Sequence, residues 1–284
     1  MVNATGVWVD ALRQLALPAA PSGQTALPLV KLSQGVHWVV DRALLPLKEA
    51  VLVPLTSDGR VLFAVPWHGK LVVGTTDTLK DKPQLEPEAL EKEIDFVLET
   101  AQAYLTKKPT KADILSVFAG LRPLAAPKED GAKTKEISRT HKVILSDSKL
   151  VTLTGGKWTT FRKMGEDTVE YFPRVSGKNM SESKSATQKL HGFTIKPDEG
   201  HMAIYGSDAF QIRFMLKEHP EWREKLHPKY PYTIAEVIWI IRNEMAVKLE
   251  DVLSRRFRIL LLDARAAMEM APKVAEIMAK DLGM

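Results

Sequence analysis

The chain has 284 residues, of which 45% are hydrophobic and 26% are charged, and it contains no cysteine. This composition excludes wholesale disorder and collagen-like repeats, and the lack of cysteine excludes disulfide scaffolds, thiolate catalysis and Cys-ligated metal centres. The 40 basic against 35 acidic residues give a net charge of +5, which favours anionic partners such as a phosphorylated small molecule or an anionic membrane surface. No zinc-finger spacing or RNA-binding motif is present, so we expect no nucleic-acid partner.

The first half of the chain is dominated by strand patterns. Residues 2–9 predict the end of a buried strand that turns into a helix; with no strand before it, such a strand joins a sheet only if it is an edge. Between about residues 27 and 77, alternating apolar residues predict an antiparallel meander, with one strand at 34–41 and a hairpin turn at 57–60. A helix with Pro87 in its first turn should follow, because apolar residues then recur at helical spacing as far as Leu105.

Further strands are predicted at residues 114–119, 142–145 and 151–154, and the last should lead into a helix that ends near Phe172. Residues 173–200 are rich in Ser, Lys, Gly and Pro and are predicted to be a linker. Only helical periodicity follows, with one long amphipathic helix from Ile234 to Val252 and another that begins at Pro272. The predicted class is α+β, with a body at 1–172 and an all-helical domain at 201–284.

A segment with two adjacent glycines is the strongest candidate for an anion-binding site. Gly155, Gly156 and Lys157 follow a predicted strand, and a helix is predicted to begin at Thr159 or Thr160. The free N–H groups and the partial positive charge at a helix start attract anions, and the lysine adds a full charge. The spacing fits neither a Walker A loop nor the G-x-G-x-x-G motif, so an ordinary strand–turn–helix with an exposed lysine is the alternative.

Two arginines are further candidates for binding an anion. Arg122 lies between a glycine and a proline, in Gly120–Leu124, and its planar guanidinium suits a phosphate or a carboxylate. Arg139 offers the same chemistry, and for both residues a surface salt bridge is the alternative. His37, in an otherwise apolar strand, is either a satisfied core histidine or a base in a site. The seven histidines never pair at helical spacing, so we expect no metal site.

Several short segments occur in an order that is found in a known family. In the first part of the chain they are VNATGVWVD from Val2, KLSQGVH from Lys31, PW from Pro66, GTTD from Gly74, GLRPL from Gly120, SR from Ser138 and TGGKWTTFR from Thr154. In the helical part they are AEV from Ala235, RNEMA from Arg242, EDVLSRR from Glu250 and LDARAA from Leu262. Together these segments resemble the FAD-dependent (aerobic) glycerol-3-phosphate dehydrogenases and the related glycerophosphate oxidases.

The resemblance covers nearly the whole chain and implies its domain organisation. Residues 1–172 would form the substrate (cap) domain and the C-terminal portion of an FAD-binding domain, 173–200 the linker and 201–284 the helical C-terminal domain. Members of this family begin with a dinucleotide-binding half whose G-x-G-x-x-G turn holds the FAD pyrophosphate. Because that half has no counterpart here, the chain is expected to be the C-terminal part of such an enzyme and to be inactive by itself.

The resemblance also implies roles for individual residues. Arg122, Arg139 and Lys157 would surround the phosphate and the hydroxyl of glycerol 3-phosphate, and His37, or a nearby group tuned by a cation, would accept the hydroxyl proton. The resemblance implies that a second set of residues, which again includes Lys157, contacts FAD. These residues are Ala4, Gly6, Gly155, Gly156, Lys157, Trp158, Thr159 and Thr160. The product would be dihydroxyacetone phosphate, and the electrons would pass to quinone in a dehydrogenase or to oxygen in an oxidase.

Two other classes of function stay open at this stage. The first is a non-catalytic interaction module, whose basic segment Arg255–Arg258 could meet an anionic membrane; a solvated helix face is the alternative for that segment. The second is a relative of the amino-acid oxidases, in which Arg122 would bind a carboxylate. We expect a cytoplasmic protein, either free or peripheral on the cytoplasmic membrane face, and an exposed apolar surface that favours a homo-oligomer.

Overall fold

The computed structural model describes residues 1–16, 27–44, 46, 48–54, 56, 59, 61–126 and 140–283. The chain forms two compact units, one of residues 1–36, 75–93 and 119–188 and the other of residues 37–74, 94–118 and 189–284. Antiparallel strands and helices occur together, and the elements described from residue 200 onward are helices joined by turns, with one isolated bridge, so the predicted α+β class is confirmed. The domain boundaries drawn from the sequence stay a prediction.

The strands and helices are numbered in chain order. The strands are β1 (Val2–Asn3), β2 (Val30–Asp41), β3 (Val51–Val53), β4 (Leu62–Trp67), β5 (Lys70–Gly74), β6 (Thr78–Lys80), β7 (Ser116–Ala125), β8 (Lys142–Leu145) and β9 (Val151–Thr154). The α-helices are α1 (Val9–Ala16), α2 (Glu91–Tyr104), α3 (Phe161–Val169), α4 (Phe172–Ser176), α5 (Ala209–Glu218), α6 (Ile234–Asn243), α7 (Ile259–Leu262) and α8 (Ala264–Leu282). None of the helices within these described residues is both long and apolar enough to span a membrane.

The first unit contains a small sheet in the order β1-β9-β8, in which β1 is an edge strand parallel to β9. The predicted strand at this position is present, but Val2 is exposed, so the strand is not buried as a whole. The turn from β1 to α1 is fixed by Asn3, which is fully buried. Its side-chain amide donates a hydrogen bond to the carbonyl of Val9 (2.9 Å), and its oxygen accepts one from the hydroxyl of Thr5 (2.8 Å). These bonds satisfy the buried amide and position the start of α1 beside the sheet.

The second unit contains the predicted meander, in which β3, β4, β5 and residues 37–41 of β2 pair antiparallel in that order. One face of this sheet forms a buried core with α2. The residues that form it are Trp38, Val40, Leu44, Val53, Leu62, Ala64, Leu71, Val73, Val97, Leu98 and Ala101. The hairpin turn predicted at 57–60 lies outside the described residues except for Gly59.

The helical part of the second unit has a core of its own, in which α6, α7 and α8 pack together. Helix α6 begins where Thr233 and Glu236 form a capping box, with the Thr233 hydroxyl 2.9 Å from a Glu236 carboxylate oxygen. Its apolar residues are then buried on every side, among them Val237 and Ile240, which have no exposed surface. A helix that is apolar all round belongs in the interior of a domain.

Three of the predicted helices have different bounds in the structure. Helix α2 begins at Glu91 rather than near Pro87, because the Glu93 carboxylate accepts the backbone N–H of Leu90 and so caps the helix there. The long helix predicted as far as Val252 ends at Asn243, and Met245 has a positive φ of 56°. Pro272 lies inside α8, which begins earlier because the Asp263 side chain accepts the N–H of Ala266.

Strand β7 is longer than the sequence pattern predicts. It continues past Ala119, where the predicted strand ends, to Ala125 and pairs with β2, so Arg122 lies within the strand. Proline is tolerated where a strand does not need that N–H for pairing. The position of Arg122 is therefore set by a strand and not by a loop.

Candidate active site

Arg122, on β7, is held by two neutral acceptors in the first unit. Its Nη2 donates a hydrogen bond to the hydroxyl of Thr75 (2.7 Å), and its Nη1 donates one to the carbonyl of Thr76 (3.1 Å). The Thr75 hydroxyl in turn donates to the same Thr76 carbonyl (3.2 Å). These two contacts, both to uncharged acceptors, fix the plane of the guanidinium.

Thr76 is itself anchored by a buried carboxylate, that of Glu93. The Thr76 hydroxyl donates to Glu93 Oε1 (3.1 Å) and accepts the backbone N–H of Val36 (3.0 Å). Gln34 and Thr78 also donate to this carboxylate, at 2.7 and 2.6 Å. Burial alone would raise the pKa of Glu93, but the hydrogen bonds from Thr78, the Leu90 backbone, Gln34 and Thr76 outweigh it, and the pKa lies below its usual value.

The Gly155–Gly156 turn, which follows β9, needs both of its glycines. Their φ angles are +73° and +78°, which residues with a side chain rarely adopt. A Cβ on Gly155 would also lie 2.9 Å from the carbonyl oxygen of Thr140, and one on Gly156 would lie 2.7 Å from Sδ of Met164. The Cβ position of Gly155 is 3.7 Å from the Cβ of Ala125, so this turn lies beside the end of β7, three residues from Arg122.

The turn leads into the N-terminus of α3, as the sequence predicts. Residues Trp158–Thr160 form a single 3₁₀ turn that is continuous with the helix, and Lys157, before it, is exposed. The rings of Trp158 and Phe161 stack at 5.5 Å, although Trp158 is 85% exposed. This edge of the first unit therefore presents a helix N-terminus, a cation and two exposed aromatic rings, which suits a large planar anion.

The predicted cofactor contacts at the start of the chain lie in the same unit. Ala4 is exposed, and Gly6 has a φ of +59°, with no atom of the described residues within 4 Å of the position that a Cβ would occupy. The hydroxyl of Thr154, immediately before the double glycine, is buried and has no hydrogen-bond partner within the described part of the chain. An open glycine and an unpaired buried hydroxyl at the ends of β1 and β9 fit a nucleotide with polar groups to pair.

His37 lies in the second unit and lines a cavity of about 360 Å³. Its ring stacks on that of Phe118 at 5.3 Å. Gly74 pairs with His37 on one side and with Phe63 on the other, so the missing side chain leaves space between the two rings. The remaining lining residues are apolar; they are Val65, Trp67 and Val72. His37 is thus not a fully buried core histidine, and an imidazole at an open cavity can exchange a proton with a ligand.

Two other candidates from the sequence are Arg139 and the basic segment Arg255–Arg258. Arg139 lies outside the described residues. In the basic segment, Arg255 and Arg256 both lie within 4 Å of Asp251, and the guanidinium of Arg258 lies 5.9 Å from the ring of Trp67. These contacts use two of the three arginines in ion pairs, so the segment is not a face of three uncompensated cations.

Sequence reasoning missed the residues that support the candidate site. Thr75 and Thr76 carry no chemical motif of their own, and their side chains matter only because β7 passes beside them. His141 is a further example, since its Nε2 lies 2.8 Å from Asp167 on α3 and its Cβ lies 3.0 Å from the Cβ position of Gly156. Within the described ranges, no three His, Asp or Glu side chains come together in a way that could hold a metal ion.

Comparison with known proteins assigns these features to a family. Residues 1–162 match the family model described as FAD dependent oxidoreductase, and residues 146–284 match the model described as the C-terminal domain of alpha-glycerophosphate oxidase. The chain therefore belongs to the FAD-dependent oxidoreductase family, and its predicted resemblance to the glycerol-3-phosphate dehydrogenases is confirmed.

Individual relatives support this assignment. The chain is 33% identical to a probable mitochondrial glycerol-3-phosphate dehydrogenase of Caenorhabditis elegans and 34% identical to a mitochondrial glycerol-3-phosphate dehydrogenase of Mus musculus. These alignments cover 100% and 99% of the chain but 41% of each relative. The crystal structure of a glycerol-3-phosphate dehydrogenase from Bacillus halodurans, complexed with FAD, matches 99% of the chain and 58% of its own length with a TM-score of 0.80 and 28% identity. The chain thus spans about two fifths of the curated relatives.

Proposed function

We propose that this chain supplies the substrate-binding part of a flavin-dependent enzyme that oxidises sn-glycerol 3-phosphate to dihydroxyacetone phosphate. The observation that carries the proposal is the position of Arg122, whose guanidinium is fixed by Thr75 and Thr76, on a strand whose Ala125 lies beside the glycine turn. Arginine in a fixed plane binds a phosphate through two parallel hydrogen bonds. The names of the relatives and the family assignment support the same reaction.

The residues of the first unit fit FAD for three reasons. Among the described residues, none fills the space beside Gly6 and none pairs with the buried hydroxyl of Thr154, and α3 presents its N-terminus. When bound, FAD supplies the acceptor for the two electrons and the hydrogen that leave C2 of the substrate. Ala4, Gly6 and the turn from Gly155 to Thr160 would hold the cofactor. The N–H groups and the dipole at the start of α3, together with Lys157, stabilise negative charge at this end of the helix.

The substrate is bound and deprotonated by groups of this chain. Arg122 and Lys157 bind the phosphate, and Arg139 adds a third cation according to the family resemblance. His37 accepts the proton of the C2 hydroxyl on a ring nitrogen, so that the carbonyl of dihydroxyacetone phosphate forms as the C2–H bond breaks.

Replacing His37 by asparagine tests the proton-transfer role. In the FAD-loaded, full-length protein that carries this chain, we expect H37N to lower kcat about a hundredfold or more, which is the usual contribution of a general base, and to change KM less than about threefold. The matched control is H68N, because His68 is exposed at the β4–β5 hairpin turn with a φ of 45°, a conformation that asparagine tolerates. Equal kcat values for the two variants and the wild type would remove His37 from the mechanism.

We propose quinone rather than oxygen as the electron acceptor, since the curated relatives reported above are dehydrogenases and not oxidases. A glycerophosphate oxidase is the second candidate, because the model that matches residues 146–284 is named after that enzyme. The two differ in a simple assay. A dehydrogenase reduces added quinone and forms little hydrogen peroxide in air, whereas an oxidase forms peroxide without quinone.

A further inference from the structure

We infer that Gly35 and Thr75 determine the specificity for a phosphate-bearing substrate, by holding the guanidinium of Arg122 against β2. The inference rests on the proposed function, which makes Arg122 the phosphate ligand. It adds two positioning residues that need not touch the substrate. Both lie in the first unit, and neither has an ionisable side chain.

Gly35 is necessary because of a close approach and not because of its backbone conformation. A Cβ on this residue would lie 2.1 Å from Nη2, 2.5 Å from Cζ and 2.6 Å from Nη1 of Arg122. All three atoms belong to the guanidinium, so the guanidinium lies where any larger residue of β2 would place its side chain. The backbone of Gly35 is not in the left-handed region, so alanine is compatible with the strand.

Thr75 orients the guanidinium of Arg122 through hydrogen bonds. Its hydroxyl accepts the hydrogen bond from Nη2 and donates to the Thr76 carbonyl, which in turn accepts from Nη1. The three hydrogen bonds close a ring around one edge of the guanidinium. A residue without this hydroxyl would leave Nη2 without this acceptor, and the guanidinium would lose one of the contacts that orient its plane.

The chemistry explains why this arrangement would select a phosphate. An arginine side chain has several rotatable bonds, and its fork recognises a tetrahedral anion in two-point contact only when its plane is correctly oriented. The Thr75 hydroxyl and the Thr76 carbonyl orient this plane through hydrogen bonds. Gly35 supplies the space, Thr75 supplies the orientation, and the buried Glu93–Thr76 hydrogen bond anchors the segment that carries both acceptors.

The experiment compares G35A, T75V and T75S in the FAD-loaded, full-length protein. We expect G35A and T75V each to raise KM for sn-glycerol 3-phosphate and Ki for inorganic phosphate about tenfold, the effect of losing one well-placed hydrogen bond to a charged group. The value of kcat should change less than about threefold. T75S, which keeps the hydroxyl, should restore both constants to within about twofold of the wild type.

A matched control is G165A, because Gly165 is exposed on α3 and a Cβ there meets no atom within 4 Å; it should leave KM and Ki unchanged. Wild-type values of both constants in G35A and T75V would overturn the inference while the proposed function stands. Equal losses in T75S and T75V would also overturn it, because the effect would then not depend on the hydroxyl. A wild-type protein that neither oxidises glycerol 3-phosphate nor binds phosphate would contradict the proposed function itself, and this inference with it.

Discussion

Replacing Arg122 by alanine is expected to raise KM for sn-glycerol 3-phosphate at least about a hundredfold, equivalent to about 2.7 kcal/mol of lost binding. In the proposed function, the guanidinium that Thr75 and Thr76 fix would make the charge-assisted contacts to the phosphate. Ki for the product dihydroxyacetone phosphate should rise by the same factor, because the product carries the same phosphate. Steady-state kinetics of the FAD-loaded protein measure both constants.

R122K separates charge from geometry. Lysine keeps the charge but loses the planar fork, so this variant should fall between the wild type and R122A. R174A is a matched control, because Arg174 is exposed on α4 and contacts the ring of Tyr171 rather than the candidate site. A KM for R122A within about threefold of the wild-type value would show that the phosphate is bound elsewhere.

Replacing Glu93 by glutamine should lower the free energy of unfolding by about 2–4 kcal/mol, because a buried carboxylate that accepts several hydrogen bonds loses its charge and keeps only one acceptor oxygen. Glu93 is 3% exposed and accepts from Gln34, Thr76, Thr78 and the Leu90 backbone. Urea unfolding at neutral pH, followed by circular dichroism, measures the change. E99Q is the control, since Glu99 is exposed on the same helix and its replacement should change stability by less than about 0.5 kcal/mol.

The pKa of Glu93 also predicts how this difference depends on pH. Because the folded-state pKa is lowered, the ionised carboxylate contributes stability that is fully present above the unfolded-state pKa and is lost as the pH falls through the folded-state pKa. The stabilities of the wild type and E93Q should therefore converge as the pH is lowered from 5 towards 3. A difference that stays constant over this range would contradict the ionised state of Glu93.

The sequence predicted some parts of the structure better than others, for physical reasons. The meander and β9 were predictable because apolar residues alternate along them and turn residues separate them. The end of the long helix near Asn243 was not, because the apolar period continues through Met245 and the break depends on that residue's backbone. The predicted helix start at Pro272 was wrong for a related reason. Proline is typical of the first turn of a helix, but α8 begins earlier, where Asp263 caps it.

In the candidate site, too, some residues could be predicted from the local sequence and others could not. Gly155, Gly156 and Lys157 could be found from sequence because adjacent glycines before a helix have a local meaning. Arg122 was found for its chemistry, but its partners Thr75 and Thr76 are 47 and 46 residues away in the chain and meet it only through β-sheet pairing. The close approach of its guanidinium to Gly35 likewise follows from the packing of two strands and leaves no signal in the local sequence.

The most direct test of the account is an anaerobic visible spectrum of the full-length protein that carries this chain, loaded with FAD. We expect sn-glycerol 3-phosphate to bleach the flavin band within seconds, and glycerol and glycine at the same concentration to leave it unchanged. That result would establish a bound flavin and a substrate recognised through its phosphate. A protein that binds no flavin, or a flavin that is bleached by glycine and not by glycerol 3-phosphate, would contradict the account.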